Sequence, residues 1–175
     1  MERILQNKEG RLGKKLLSSI FLLCATMVLM ACGTLTAAQQ AERALAVENA
    51  LQSRHYTVDV QMMYPNRGVG RNVTSNYSLE VKGDTLVSYL PYFGRAYSVP
   101  YGGGKALNFT APIKRYQSAK GSKGRTLVDL VIDNEEDVIT YHIEVFDNGQ
   151  TTIDVIARER EPISYSGELV WQHAR

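Results

Sequence analysis

The sequence predicts a mainly β fold: an antiparallel meander of about eight strands forming a curved sheet, small barrel or sandwich, with one N-terminal α-helix. Three patterns carry that expectation. From His55 to the C-terminus, apolar side chains recur at every second position in short runs, the period of a strand with one buried face. Between the runs stand clusters of Gly, Pro, Asn and Asp, whose backbone preferences suit turns. The stretch from Thr36 to Arg54 is instead Ala-rich and favours helix.

Ahead of the helix lies a leader. Met1 to Lys15 holds Arg3, Lys8, Arg11, Lys14 and Lys15 against Glu2 and Glu9, and an apolar run from Leu16 to Met30 follows. A basic head and a short hydrophobic stretch ending in small residues make a secretory signal peptide. The run falls short of the ~18 to 20 apolar residues of a spanning helix. Leu29-Met30-Ala31-Cys32 resembles a bacterial lipobox, in which the cysteine is acylated and becomes the mature N-terminus. Residues 1–31 are then the signal peptide, 32–36 a tether and 37–175 a single domain, anchored to a membrane through lipid on Cys32. The alternative is cleavage after Ala38, at Thr36-Ala37-Ala38, releasing a soluble product. Cys24 sits inside the apolar run and is discarded on either reading.

Removing the leader takes the formal charge from +2 to about −1. A near-neutral domain lacks the basic footprint of a nucleic-acid binder. After cleavage at Cys32 no second cysteine remains, so the exported domain must hold together by its core. Roughly 140 residues suffice for one.

In the helix, Ala41, Ala44, Leu45, Glu48 and Leu51 fall at three- and four-residue steps and predict a narrow stripe. The first strand follows, with Tyr56, Val58, Val60, Met62 and Tyr64 alternating with polar neighbours. Pro65 to Gly70 interrupts the chain, Val73 to Val81 resumes the alternation, and Lys82-Gly83-Asp84 turns into Thr85 to Leu90. Leu107 to Ile113 is the next strand, Ser118 to Gly124 a basic mobile loop, Leu127 to Ile132 a strand and Asp133 to Asp137 a solvated acidic turn. Val138 to Phe146 leads to Asp147-Asn148-Gly149, the strongest hairpin signal, and Thr151 to Ala157 pairs back. Glu161-Pro162 turns into a closing strand, Ile163 to Trp171.

One stretch exceeds what packing requires. Tyr89 to Tyr101, YLPYFGRAYSVPY, gathers Tyr89, Tyr92, Phe93, Tyr97 and Tyr101 with two prolines, a glycine and Arg95. Tyrosines outside the core can line a cleft, since each brings a flat apolar face and a hydroxyl at little entropic cost. Arg95 beside them could hold a carboxylate or phosphate through paired hydrogen bonds. The structural reading buries Tyr89, Phe93 and Tyr97 against the sheet, shapes an edge with Pro91 and Gly94, and pairs Arg95 with an acidic neighbour.

LPYFGRAY at Leu90 to Tyr97, the Asn148-Gly149 hairpin leading into TTIDVIARER, and ISYSGEL at Ile163 to Leu169 resemble the Bacteroidota exported proteins of domain of unknown function 4251. The resemblance spans the chain from about the helix to Leu169. It implies an exported protein, often a lipoprotein, of a Gram-negative bacterium, facing the periplasm or held at the outer membrane. It brings no catalytic residues.

Reactive constellations are weak. His55, His142 and His173 show no ligand spacing, and zinc sites cluster His or Cys. Ser164 and Ser166 in ISYSG lack the G-x-S-x-G elbow that exposes a nucleophile. Asp133, Glu135, Glu136 and Asp137 lack calcium-loop spacing, and Gly102 to Gly104 lacks the Lys-Ser/Thr pair of a phosphate loop. No cofactor, metal or enzymatic reaction is expected. The expected function is a non-enzymatic, membrane-anchored binding module for a small amphiphile, glycan, peptide or lipid held by the concave face of the sheet. Its site residues would be Tyr89, Tyr92, Arg95, Tyr97 and Tyr101. The alternative is an assembly lipoprotein that docks an envelope protein through an exposed aromatic patch.

Overall fold

The computed structural model describes residues 36–74, 76–98 and 104–170. One helix, α1 (Ala37–Ser53), precedes nine strands: β1 (His55–Pro65), β2 (Arg71–Asn72), β3 (Ser78–Lys82), β4 (Thr85–Tyr89), β5 (Asn108–Lys120), β6 (Arg125–Asp133), β7 (Val138–Phe146), β8 (Gln150–Ala157) and β9 (Ile163–Val170). Every pairing is antiparallel, and β9 returns to pair with β1. The ring thus closes with eight strands, β2 being a short appendage on β1. Of the architectures open to the sequence, the barrel is the one formed. Closure leaves few free sheet edges.

Alternation sorts each strand into an inner and an outer row. Val128, Leu130 and Ile132 of β6 and Ile139, Tyr141, Ile143 and Val145 of β7 point inward and are buried. Tyr165 and Leu169 of β9, Val58 of β1 and Leu79 of β3 meet them in one core cluster. The barrel interior is filled by side chains, as in other eight-stranded rings of this girth.

Ser88 Oγ and the Tyr141 and Tyr165 hydroxyls are held inside by hydrogen bonds. Ser88 Oγ donates to the Leu107 carbonyl at 2.7 Å and accepts from the Tyr141 hydroxyl at 3.2 Å. The Tyr165 hydroxyl donates to the Pro91 carbonyl at 2.7 Å. Burial pushes both phenols far above their usual range.

The helix lies across one mouth of the barrel. Arg43 pairs with Glu168 on β9 at 3.3 Å and Glu48 with Lys120 on β5 at 3.1 Å, and these strands stand half-way round the ring from each other. Its buried residues are Val47, Ala50 and Leu51, whereas Leu45 is 62% exposed. The stripe therefore keeps the helical step but is rotated from the expected one. Ala41 and Leu45 face away because Val47 and Leu51 bring more apolar surface to the mouth.

Other boundaries shift for physical reasons. The expected strand from Val73 to Val81 is realised only from Ser78, after the two-residue β2. The basic stretch expected as a loop from Ser118 is strand to Lys120, because β6 pairs with it residue by residue as far as Lys120 opposite Thr126. At Asp147-Asn148-Gly149 only Gly149 takes a positive φ, 86°, while Asn148 accepts from the Gln150 N–H at 3.0 Å. The hairpin is there, closed by the Gly149 N–H to Phe146 carbonyl bond at 2.8 Å and not by two left-handed residues. The strand expected to end at Trp171 runs to Val170, beyond which lie residues outside those described.

Candidate functional site

The two ends of the barrel offer different surfaces. At the end opposite α1, the aromatic run leaves β4 and folds over the opening. Leu90 is wholly buried and Tyr92 half-buried. The Tyr92 hydroxyl reaches the Arg95 carbonyl at 3.0 Å and the Glu161 carbonyl at 3.1 Å. A bridge pairs Ala96 with Arg160, and the Tyr97 N–H donates to the Glu159 carbonyl at 2.7 Å. The run is thus an extended lid laced to the β8–β9 connection.

A buried ionic cluster holds that connection. Arg160, 6% exposed, lies 3.8 Å from Asp137 and 3.9 Å from Glu136. The Asp137 carboxylate accepts from the Arg158 N–H at 3.0 Å and from the Glu159 N–H at 3.3 Å. Glu161 pairs with Arg67 at 3.4 Å and accepts from the Arg95 N–H at 3.2 Å. The Asp133–Asp137 turn, expected to be solvated, therefore turns inward at Asn134 and Asp137, both buried. Main-chain donors are what make an interior carboxylate tolerable.

The predicted site residues separate here. Tyr89 is 47% exposed on the outer face and stacks on Tyr77 with ring centroids 4.9 Å apart. Tyr92 is a lid strut, and burial raises its phenol above the usual range. Arg95 meets Glu161 through its main chain, with its own side chain exposed. Tyr97 is 62% exposed. Phe93, also exposed, lies under the Arg71 guanidinium at 4.4 Å. Tyr101 and Cys32 lie outside the described residues.

A second feature sits at the α1 end. A cleft of about 730 Å³ opens between the helix, the start of β1 and the end of β3. Ala46, Ala50, Tyr56, Val81 and Val170 give it an apolar floor, and Asn49, Ser53, His55, Thr57, Glu80 and Lys82 a polar rim. His55 Nδ1 lies 2.7 Å from the Ser53 carbonyl, which fixes its ring, and Lys82 pairs with Glu80 at 2.9 Å. Size and lining suit a small organic molecule. Sequence reading missed this cleft because its residues come from three separated segments; the Tyr56 hydroxyl, buried without a hydrogen-bond partner, becomes visible only in the fold.

Reactive geometry is sparse. His142 Nδ1 lies 2.6 Å from Asp129 on the exposed outer face of the barrel, away from the cleft. Among the described residues no three His, Cys, Asp or Glu side chains are placed to share a metal ion.

Comparison with known proteins adds a family and a fold. None of the curated proteins searched matches the chain. A crystal structure of a DUF4251 family protein from Bacteroides eggerthii DSM 20697 is similar, with a TM-score of 0.56 and 16% identity over 75% of this chain and 91% of that one. At that identity the likeness is one of fold. The profile of the family described as Domain of unknown function (DUF4251) matches residues 38–169, from the second residue of α1 to the end of the barrel, and the chain belongs to that family.

Proposed function

We propose that the chain is an exported, lipid-anchored, non-catalytic binding module that takes a small amphiphilic molecule into the cleft between α1 and the β1–β3 wall. The cleft itself carries this reading: about 730 Å³ with an apolar floor and a polar rim, in a domain whose barrel interior is filled. The ligand site thus moves from the concave face of the sheet to the mouth that the helix half covers. An amphiphile would set its apolar part on Ala46, Ala50 and Val81 and its polar group on His55, Asn49 or Lys82. The leader and Leu29-Met30-Ala31-Cys32 support export and anchoring.

Native mass spectrometry of the protein from its own host, followed by denaturation, tests the cleft. A defined small molecule should be released from the wild type and be missing from Ala46→Trp, which fills the cleft from the helix. A clean unliganded mass, or a ligand retained by Ala46→Trp, overturns the reading. The anchor has its own test: Cys32→Ala should move the protein from the membrane to the soluble fraction.

A second reading rests on Tyr89, Phe93 and Tyr97, all exposed at the lid end. There the protein would dock an envelope partner through its aromatic rings. Site-specific photocrosslinking from position 93 in cells separates the two, since a cleft ligand leaves that position without a specific adduct.

A further inference from the structure

The pairing around the ring is incomplete between β4 and β5. β4 pairs with β5 only over Asn108 to Pro112, whereas β6 pairs with β5 from Ile113 to Lys120. The final stretch of β5 therefore has a strand neighbour on one side only. On the other the end of α1 touches it through a side chain, the Tyr116 hydroxyl donating to the Leu51 carbonyl at 3.2 Å and Arg54 lying 4.4 Å over the Tyr116 ring. The main-chain groups of β5 alternate in direction. The Gly121 N–H donates to the Arg125 carbonyl at 2.9 Å, with Lys120 opposite Thr126 and Ser118 opposite Val128. In an antiparallel ladder the bonded residues alternate, so Ala119 and Gln117 bond to β6. The main-chain groups of Tyr116, Ser118 and Lys120 then point to the open side. The shift between Ile113 and Arg115 accounts for the change of phase from the β4-paired half, where the Ile113 N–H donates to the Asp84 carbonyl at 2.8 Å.

We infer that this edge, residues 116–120, receives an extended acidic segment of a partner protein as an added strand. Charge selects the partner. Residues 114–125 hold Lys114, Arg115, Lys120, Lys123 and Arg125 and no acidic residue. Lys114, Lys120 and Arg125 are engaged by Asp133, Glu48 and Glu144, while Arg115 and Lys123 are exposed without an ion-pair partner among the described residues. A second copy of this edge would set like charges against each other. Lysines along an edge turn away neutral strands but admit an anionic one. Beside the edge, Glu48, Leu51, Gln52, Ser118, Lys120 and Thr126 line a recess of about 170 Å³, which can seat one side chain of the incoming strand. Main-chain bonds supply affinity in such additions and a pocket supplies choice. The inference is independent of the cleft.

The test uses the full-length chain in detergent and two fluorescein-labelled synthetic peptides, one alternating Val and Glu, the other Val and Lys. Fluorescence anisotropy should show preferential binding of the Val-Glu peptide. Ser118→Pro removes an N–H that faces the open edge and leaves the β6 ladder its donors; it should weaken binding about tenfold, the worth of one main-chain bond, with an unchanged melting temperature. Arg115→Glu with Lys123→Glu, which disturbs no strand hydrogen bond, should shift preference to the Val-Lys peptide. Hydrogen exchange should slow at Tyr116, Ser118 and Lys120 on binding. Equal binding of the two peptides, indifference to both variants, or protection confined to the lid end overturns the inference.

Discussion

Arg95 and Glu161 hold each other twice: the Arg95 N–H donates to the Glu161 carboxylate at 3.2 Å, and the Glu161 N–H donates to the Arg95 carbonyl at 2.9 Å. The arginine guanidinium takes no part, so Arg95→Ala should change stability by less than about 0.5 kcal/mol. Glu161→Ala leaves the part-buried Arg95 N–H without its acceptor and frees Arg67, and should cost about 1 to 2 kcal/mol. Urea unfolding of the two variants checks both figures. Faster hydrogen exchange at residues 95–97 in Glu161→Ala alone would show that the glutamate, and not the arginine, fastens the lid.

Ser88 and Tyr141 predict an asymmetry inside the barrel. Ser88 Oγ serves both the Leu107 carbonyl and the Tyr141 hydroxyl. Ser88→Ala leaves the buried Tyr141 hydroxyl without a partner and the Leu107 carbonyl with only the Leu90 N–H at 3.3 Å, and should cost about 2 kcal/mol, whereas Tyr141→Phe leaves Ser88 still donating and should cost about 1 kcal/mol. Tyr141→Phe in the Ser88→Ala background should recover part of the loss, a coupling that a double-mutant cycle reads directly.

Local rules carried the sequence a long way here. Val138 to Phe146 is a strand over its predicted bounds, because nine alternating residues between turn formers leave few other options. The aromatic run announced itself by composition, and Tyr92 through Tyr97 do form one laced segment. Closure was not legible. It depends on β9 finding β1 across most of the chain, a match of registers that no local window contains. The burial of Asp137 and Glu161 was hidden for a related reason: charge in a turn usually means water, and here the compensating N–H groups come from another connection or from the lid. Arg95 looked like a ligand clamp because side-chain chemistry is visible in sequence and main-chain pairing is not.

Buried phenols set the response to alkali. Tyr56, Tyr141 and Tyr165 all have their ionisation pushed upward, with burial the largest cause in each. In the unfolded chain a tyrosine ionises near pH 10. Above that point the folded state binds more protons, so stability is complete below about pH 10 and falls as pH rises further. The slope should approach about 1.4 kcal/mol per pH unit for each buried phenol. Thermal melts between neutral pH and strong alkali measure it, and Tyr141→Phe should make the decline shallower. At the acid end Asp133 is held below the usual carboxylate range by Lys114 and the Glu135 N–H. Its contribution is present above about pH 4 and is lost as pH falls below that.

At Gly167 the backbones of β1 and β9 leave no room for a side chain. A Cβ built there would stand 2.0 Å from the Asp59 carbonyl oxygen and 3.0 Å from the Val60 Cα. Both are main-chain atoms and neither can swing aside. Gly167 pairs with Val60 directly beside the point where the register slips, Met62 next meeting Ser166. The slip inserts an extra residue on β1, bends the strand and drives its backbone toward β9, as bulges do. Gly167→Ala must therefore either push the two strands apart or move the bulge. Separation would open the seam that closes the ring, and should cost about 3 kcal/mol or more. Moving the bulge by one residue would turn Val60 or Val58 outward. Chemical denaturation of Gly167→Ala should show that loss, and hydrogen exchange should place the fastest new opening at residues 57–62 and 165–169. A variant with wild-type stability would mean that the seam tolerates a methyl group, and that the glycine in ISYSGEL is there for some reason other than contact with β1.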